Sequence, residues 1–146
     1  MKLKKKLGCV ILIDDDDPTN FYHKLIIEEC GCAENILVFT GGEKAMEYLQ
    51  SNTKSEQNKD GYMKPDLVFL DINMPRMTGW DFLKEYAKLP EEQKSRIVLM
   101  MLTTSLNPDD ETLARNTPEV SGFYFKPLKV EMLDEIMQKY FADHLA

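Results

Sequence analysis

The sequence predicts a doubly wound α/β fold: a five-stranded parallel sheet with helices on both faces. Three observations predict it. First, the short apolar runs Val10–Ile13, Leu67–Leu70, Ile97–Leu102 and Phe123–Phe125 each stop at polar residues. They are continuously apolar rather than alternating, as strands buried on both faces are. Second, these runs and a further one at Ile36–Phe39 alternate with stretches of helical spacing, so the chain reads β–α five times over. Right-handed crossovers then place helices on both sides of one sheet. Third, the polar stops are chemically matched: Asp14-Asp15-Asp16-Asp17, Asp71, Thr103-Thr104 and Lys126-Pro127. In open α/β sheets the carboxyl ends of the strands form the edge where ligands bind.

Taken in order, the first strand runs into the aspartates. The helix that follows spans Pro18 to Cys30, with an apolar stripe of Tyr22, Leu25, Ile26, Ile27 and Cys30 and with Gly31 as its C-cap. After Ile36–Phe39, Thr40-Gly41-Gly42 makes a turn, and Glu43–Gln50 places Ala45, Met46 and Leu49 at helical spacing. Ser51–Lys64 is polar and reads as a surface loop. Pro65 opens the strand that ends at Asp71, and Met74–Gly79 is a turn-rich loop. Helical spacing resumes from Trp80 to Leu89 through Leu83, Tyr86 and Ala87, and Pro90 stops it. Asn107-Pro108-Asp109-Asp110-Glu111 joins an N-cap, a first-turn proline and acids that suit the helix dipole. Thr117-Pro118 breaks that helix early. The last helix follows Pro127 and carries Leu133, Ile136, Met137, Tyr140 and Phe141.

The length of 146 residues suits one domain, and 43% apolar residues can build one core. The expected boundaries are a basic, solvated tail over residues 1–7, one domain over 8–142 and a short tail over 143–146. A net charge of −7 excludes general nucleic-acid binding, because cations to neutralise phosphates are lacking. Lys2, Lys4, Lys5 and Lys6 are the exception, but no apolar core of signal-peptide length follows them. No run approaches the about 18 apolar residues of a membrane span. Cys9, Cys30 and Cys32 are odd in number, which favours reduced thiols in a cytoplasm. Cys30-Gly31-Cys32 has no second ligand pair at metal-binding spacing, so small buried or half-buried thiols are expected.

At the strand ends, Asp14 and Asp15 offer hard oxygens that suit Mg²⁺. A solvated turn and helix N-terminus is the other reading of the four aspartates, with Asp16 and Asp17 as candidates for capping. Asp71 is a lone carboxylate after four apolar residues. Burial makes it costly unless a metal or an ammonium compensates it, and it would then be a nucleophile toward phosphorus. Thr103 offers a hydroxyl and Lys126 a point charge for a phosphoryl group.

Jointly, and in this order, these motifs resemble the receiver domain of two-component response regulators, the CheY-like family, over residues 8–142. Asn73-Met74-Pro75 and Gly79 after Asp71 belong to the same likeness. The resemblance implies a flavodoxin-like (βα)5 fold with strand order 2-1-3-4-5. It implies that Asp71 accepts a phosphoryl group from a sensor histidine kinase. It implies Mg²⁺ held by Asp14, Asp15, Asp71 and the backbone carbonyl of Asn73, with Thr103 and Lys126 on the phosphoryl oxygens. Asp16 is the alternative to Asp14, and Thr104 to Thr103. Phe123 stands where many receivers have a Tyr or Thr that swings inward. It is a switch residue without a hydroxyl, or a static core residue. The chain is also similar to small stand-alone regulators, including those paired with bacterial phytochromes.

The expected role is therefore a phospho-acceptor rather than an enzyme, with only self-phosphorylation and autodephosphorylation chemistry. Its output is expected to be binding of a target protein, or a homodimer, through the face of the last two helices and the fifth strand. Relay of phosphate to a histidine phosphotransfer protein is the alternative. A Mg²⁺-dependent aspartyl phosphohydrolase would want a second acid two residues after the nucleophile, where Asn73 stands. His23 is expected on the exposed side of the first helix and His144 in the tail. Neither nucleic acid nor membrane is an expected partner.

Overall fold

The computed structural model describes residues 1–51 and 62–146. The loop expected at Ser51–Lys64 falls largely on residues 52–61, outside the described residues. The strands are β1 (Val10–Ile13), β2 (Ile36–Phe39), β3 (Leu67–Leu70), β4 (Val98–Thr103) and β5 (Gly122–Phe125). The helices are α1 (Asp17–Cys30), α2 (Gly42–Gln50), α3 (Gly79–Tyr86), α4 (Glu91–Lys94), α5 (Pro108–Arg115) and α6 (Val130–Tyr140). All strand pairs are parallel, in the order β2-β1-β3-β4-β5.

The continuous apolar runs have the expected cause. Ile11, Ile13, Val68, Leu70, Leu99 and Met101 face one way, onto Ala45, Met46 and Leu49 of α2 and Phe82, Leu83 and Tyr86 of α3. Val10, Leu12, Leu67, Phe69, Met100 and Leu102 face the other way, onto Ile27 of α1 and Leu133, Ile136 and Met137 of α6. With a core on each face, the central strands β1 and β3 are buried throughout, while the edge strands β2 and β5 keep exposed positions at Val38 and Phe125.

Register then fixes the carboxyl edge. Ile13 pairs with both Phe39 and Leu70. The next residues continue the ladder: the amide of Asp14 donates to Phe39 O at 3.1 Å and that of Asp71 to Ile13 O at 3.0 Å. The amide of Lys126 donates to Thr103 O at 2.8 Å. The backbones of these residues are therefore set by sheet pairing rather than by loop conformation.

Three features depart from the pattern read in the sequence. The buried face of α1 is Asn20, His23 and Ile27, while Tyr22 and Leu25 of the expected stripe are 47% and 46% exposed. The N-terminal half of α1 overlies the polar strand ends, where hydrogen bonding outweighs apolar area. His23 is accordingly buried, not on the surface. Next, α3 ends at Tyr86, and Pro90 caps a further single turn, α4. Gln93 of that turn is buried and donates from Nε2 to Leu49 O at 2.6 Å, at the end of α2. Finally, the first and last residues are joined. Leu3 pairs with Leu145, and the amide of Lys4 donates to His144 O at 2.8 Å. Lys4, Lys5 and Lys6 stay exposed, but Leu7 is fully buried.

The loop after β3 is held by a close approach. The amide of Gly79 donates to Ile72 O at 2.8 Å, and a Cβ at Gly79 would lie 2.5 Å from Asp71 O and 3.0 Å from Ile72 Cα. Both neighbours are backbone and cannot rotate away. Gly→Ala in an ordinary helix gains up to about 1 kcal/mol. Here the clash dominates, so Gly79→Ala is expected to lose at least about 2 kcal/mol in urea or thermal unfolding. Unchanged stability would show that the approach is not tight.

Candidate functional site

Asp14, Asp15 and Asp71 meet at the carboxyl edge, with one carboxylate oxygen from each within 4.8 Å of the others. Asp14 and Asp71 are buried and Asp15 is exposed. Lys126 reaches between the buried pair. Its Nζ hydrogen-bonds Asp14 Oδ2 and lies 3.2 Å from Asp71 Oδ1. Asp14 is further fixed by the Asp16 amide, which donates to its Oδ1 at 3.0 Å, and by Asn20 Nδ2, which donates to its carbonyl at 2.7 Å.

Asp16 does not join the cluster contacts with Lys126. It caps α1, its Oδ2 accepting from the Thr19 amide at 3.0 Å and from the Thr19 hydroxyl. These bonds hold its carboxyl below the usual range. Asp17 is exposed in the first helical turn.

The charges do not balance. Burial, and then the charge of Asp14, push the Asp71 carboxyl up, with Lys126 opposing. Burial alone would lower the Lys126 ammonium, but its hydrogen bonds and attraction to Asp14 and Asp71 outweigh this and leave it raised. One ammonium thus serves two buried carboxylates, and Asp14 holds it more closely. Asp71 is left under-compensated, and Asp15 adds a third negative charge. Such a set of hard oxygens with surplus negative charge fits Mg²⁺, which binds through one or two carboxylates and keeps several waters.

Thr103 is the last residue of β4 and fully buried, its Oγ1 accepting from the Ser105 amide at 3.1 Å. Thr104 is exposed. It lines a hollow of about 360 Å³ with Pro18, Thr19, Tyr22, His23, Lys126 and Pro127. Ser105 Oγ hydrogen-bonds Asp110, and Trp80 Nε1 donates to the same carboxylate at 3.3 Å. A polar chain therefore runs from Thr103 through Ser105 into α5 and across to α3. Asn73 is exposed in the loop after Asp71. Phe123 is half-buried against the α2/α3 core, edge-on to Phe125 with ring centroids 5.5 Å apart.

Sequence reasoning missed Asn20 and His23. His23 is 2% exposed, and its Nε2 accepts from the Leu128 amide at 3.3 Å. Burial, then the Lys126 charge, lower its pKa against Asp14, so the ring is neutral with its proton on Nδ1. His23 thereby ties α1 to the turn after Lys126-Pro127. The available signal was the spacing of Asn20, His23 and Ile27 at i, i+3 and i+7, a helical face that mixes polar and apolar residues. His144 lies beside Phe141, with Nδ1 3.3 Å from Lys5 O.

Residues 10–138 match the family described as response regulator receiver domain. A probable cyclic di-GMP phosphodiesterase of Vibrio cholerae is 30% identical over 135 residues, which are 91% of this chain and 26% of that protein. Response regulator Rcp1 of Synechocystis is 27% identical over 101 residues, 69% of this chain and 65% of Rcp1. A solved two-component response regulator from Cytophaga hutchinsonii superposes with a TM-score of 0.83 at 28% identity, covering 94% of this chain and 99% of that one. The bacteriophytochrome response regulator AtBRR shares the fold, with a TM-score of 0.73 at 22% identity over 93% of this chain and 94% of that one. No helix among the described residues is long and apolar enough to cross a membrane. The match over most of the chain and the shared parallel sheet lead to one conclusion: the chain belongs to the response regulator receiver domain family of phosphorylation-dependent two-component signalling.

Proposed function

We propose that this chain is a cytoplasmic phospho-receiver that accepts a phosphoryl group on Asp71 from a sensor histidine kinase, with Mg²⁺, and signals by binding a protein. The observation that carries this reading is the buried Asp14–Lys126–Asp71 bridge with Asp15 beside it. In the transfer, an Asp71 oxygen attacks phosphorus: an O–P bond forms, the N–P bond to the donor histidine breaks, and the imidazole nitrogen keeps the electron pair. Asp71 Oδ1 is engaged by Lys126, which leaves its other oxygen to attack. Lys126 then turns its charge to the new phosphoryl oxygens, and the Thr103 hydroxyl donates to one of them. Mg²⁺, held by Asp14, Asp15, Asp71 and the Asn73 carbonyl, would supply charge neutralisation for the incoming group. Phe21, Tyr22 and Leu25 are exposed on α1 beside this edge, an apolar landing surface for a protein donor. Asn73, an amide rather than a second acid, supports phospho-acceptance over hydrolytic turnover.

Acetyl phosphate with Mg²⁺ is expected to add one phosphoryl group by intact mass, Asp71→Asn to accept none, and chelation to stop the reaction. Equal labelling of Asp71→Asn would falsify the assignment.

Mg²⁺ at ten times its dissociation constant is expected to stabilise the fold by about 1.4 kcal/mol, a rise of about 3–6 °C in melting temperature. Asp15→Ala should blunt the rise. Without metal, the folded Asp71 pKa lies above its unfolded value, so its ionisation costs stability as pH rises through that window. The Mg²⁺ increment should therefore grow over the same window. An increment that is flat in pH and indifferent to Asp15→Ala would exclude metal binding at these carboxylates.

Output is expected through α5, β5 and α6. Donation from Thr103 to the phosphoryl group disturbs its contact with Ser105, and the Ser105–Asp110–Trp80 chain carries the change into α5. A beryllofluoride mimic should perturb NMR signals over residues 103–111 and 123–129. Phe123→Ala should weaken partner binding or self-association while sparing phosphorylation of Asp71. Shifts confined to residues touching the mimic would favour passive relay to a phosphotransfer protein.

A further inference from the structure

At the opposite end of α1 lies a pair of thiols that the phosphoryl chemistry does not use. Cys30 is the last residue of the helix and half-buried; Cys32 is fully buried among Leu7, Ile27 and the α6 core. Gly31 between them is left-handed, φ 72° and ψ 20°, with its amide donating to Ile27 O and Glu28 O. A left-handed residue draws the flanking Cα atoms to about 5.5 Å, inside the range that a disulfide spans. The backbone of Cys32 is held in place, its carbonyl accepting from the Leu7 amide at 2.8 Å.

We propose that Cys30 and Cys32 form a reversible dithiol–disulfide site, oxidised by a peroxide, with Cys30 as nucleophile and Cys32 as resolving thiol. The neighbouring Cys32 thiol pulls the Cys30 thiol down, against burial and the Asp134 charge, while Cys30 and burial push Cys32 up. Cys30, half-buried, is the more accessible nucleophile, and fully buried Cys32 is placed behind it to resolve. The Cys30 thiolate attacks one peroxide oxygen: an S–O bond forms, the O–O bond breaks, and hydroxide leaves to take a proton as water. The Cys32 sulfur then attacks the Cys30 sulfenic acid. The S–S bond forms, the S–O bond breaks, and the leaving hydroxide takes the Cys32 proton. Two thiols lose two electrons, and the peroxide becomes two waters. Cys9 is an internal control. It is buried, and burial and then Asp66 push its thiol up to about 11.

The test treats the full chain with stoichiometric hydrogen peroxide, followed by intact-mass and peptide analysis. The expected result is loss of two hydrogen atoms, mapped to the Cys30–Cys32 peptide and reversed by dithiothreitol. Cys30 should react about tenfold or more faster than Cys9. Cys32→Ser should stop at a Cys30 sulfenic acid that dimedone traps, and Cys30→Ser should leave Cys32 reduced; unchanged circular dichroism confirms that both fold. Oxygen addition at Cys30 of the wild type without ring closure, linkage between two chains, or equal oxidation of Cys9 would each overturn the proposal.

Discussion

The bridge from Lys126 to Asp14 and Asp71 is the constraint on which the rest of the structure depends. Two carboxylates are buried at the end of an apolar sheet, and one ammonium answers them. Removing one partner from a buried pair costs about 3–5 kcal/mol, because the remaining charge is stranded. The bridge also joins the first, third and fifth strands, which are not all neighbours in the sheet. It leaves two buried carboxylates, with Asp15 beside them, sharing one ammonium.

Much of the fold serves to hold that bridge in place. Sheet register aligns Asp14 and Asp71 by backbone hydrogen bonds, and Lys126 is paired to Thr103 in the same way. Gly79 lets the loop after β3 close against the backbone of Asp71. Asn20 and His23 fasten α1 to Asp14 and to the Leu128 amide. The two cores on either face of the sheet supply stability at a distance from the charges, so the site itself need not be a stabilising element.

The two sides of the site are held by different numbers of contacts. Asp14 is held by backbone, side-chain and ammonium contacts together. Thr103 has a different situation. Its hydroxyl accepts one bond from Ser105, and Ser105 in turn meets Asp110 and, through it, Trp80. Thr103 is thereby linked through Ser105 to Asp110 of α5.

The sequence by itself determined the strands, their parallel order of use and the polar residues at their ends. These are local signals: continuous apolar runs, abrupt polar stops, and caps such as Asp16, Asn107 and Gly31, which depend on neighbours within a few residues. Most of the α6 stripe was legible for the same reason, since it faces a wholly apolar core. Tertiary structure alone decided that Asp14 meets Lys126, 112 residues away, and that Thr103 is buried while Thr104 is exposed. It also decided which face of α1 turns inward. Apolar spacing favoured Tyr22 and Leu25, but Asn20 and His23 are buried because the Asp14 carbonyl and the Leu128 amide, one of them 105 residues away, need hydrogen-bond partners. Hydropathy counts apolar area along the chain; it does not register backbone groups that a distant segment leaves to be satisfied.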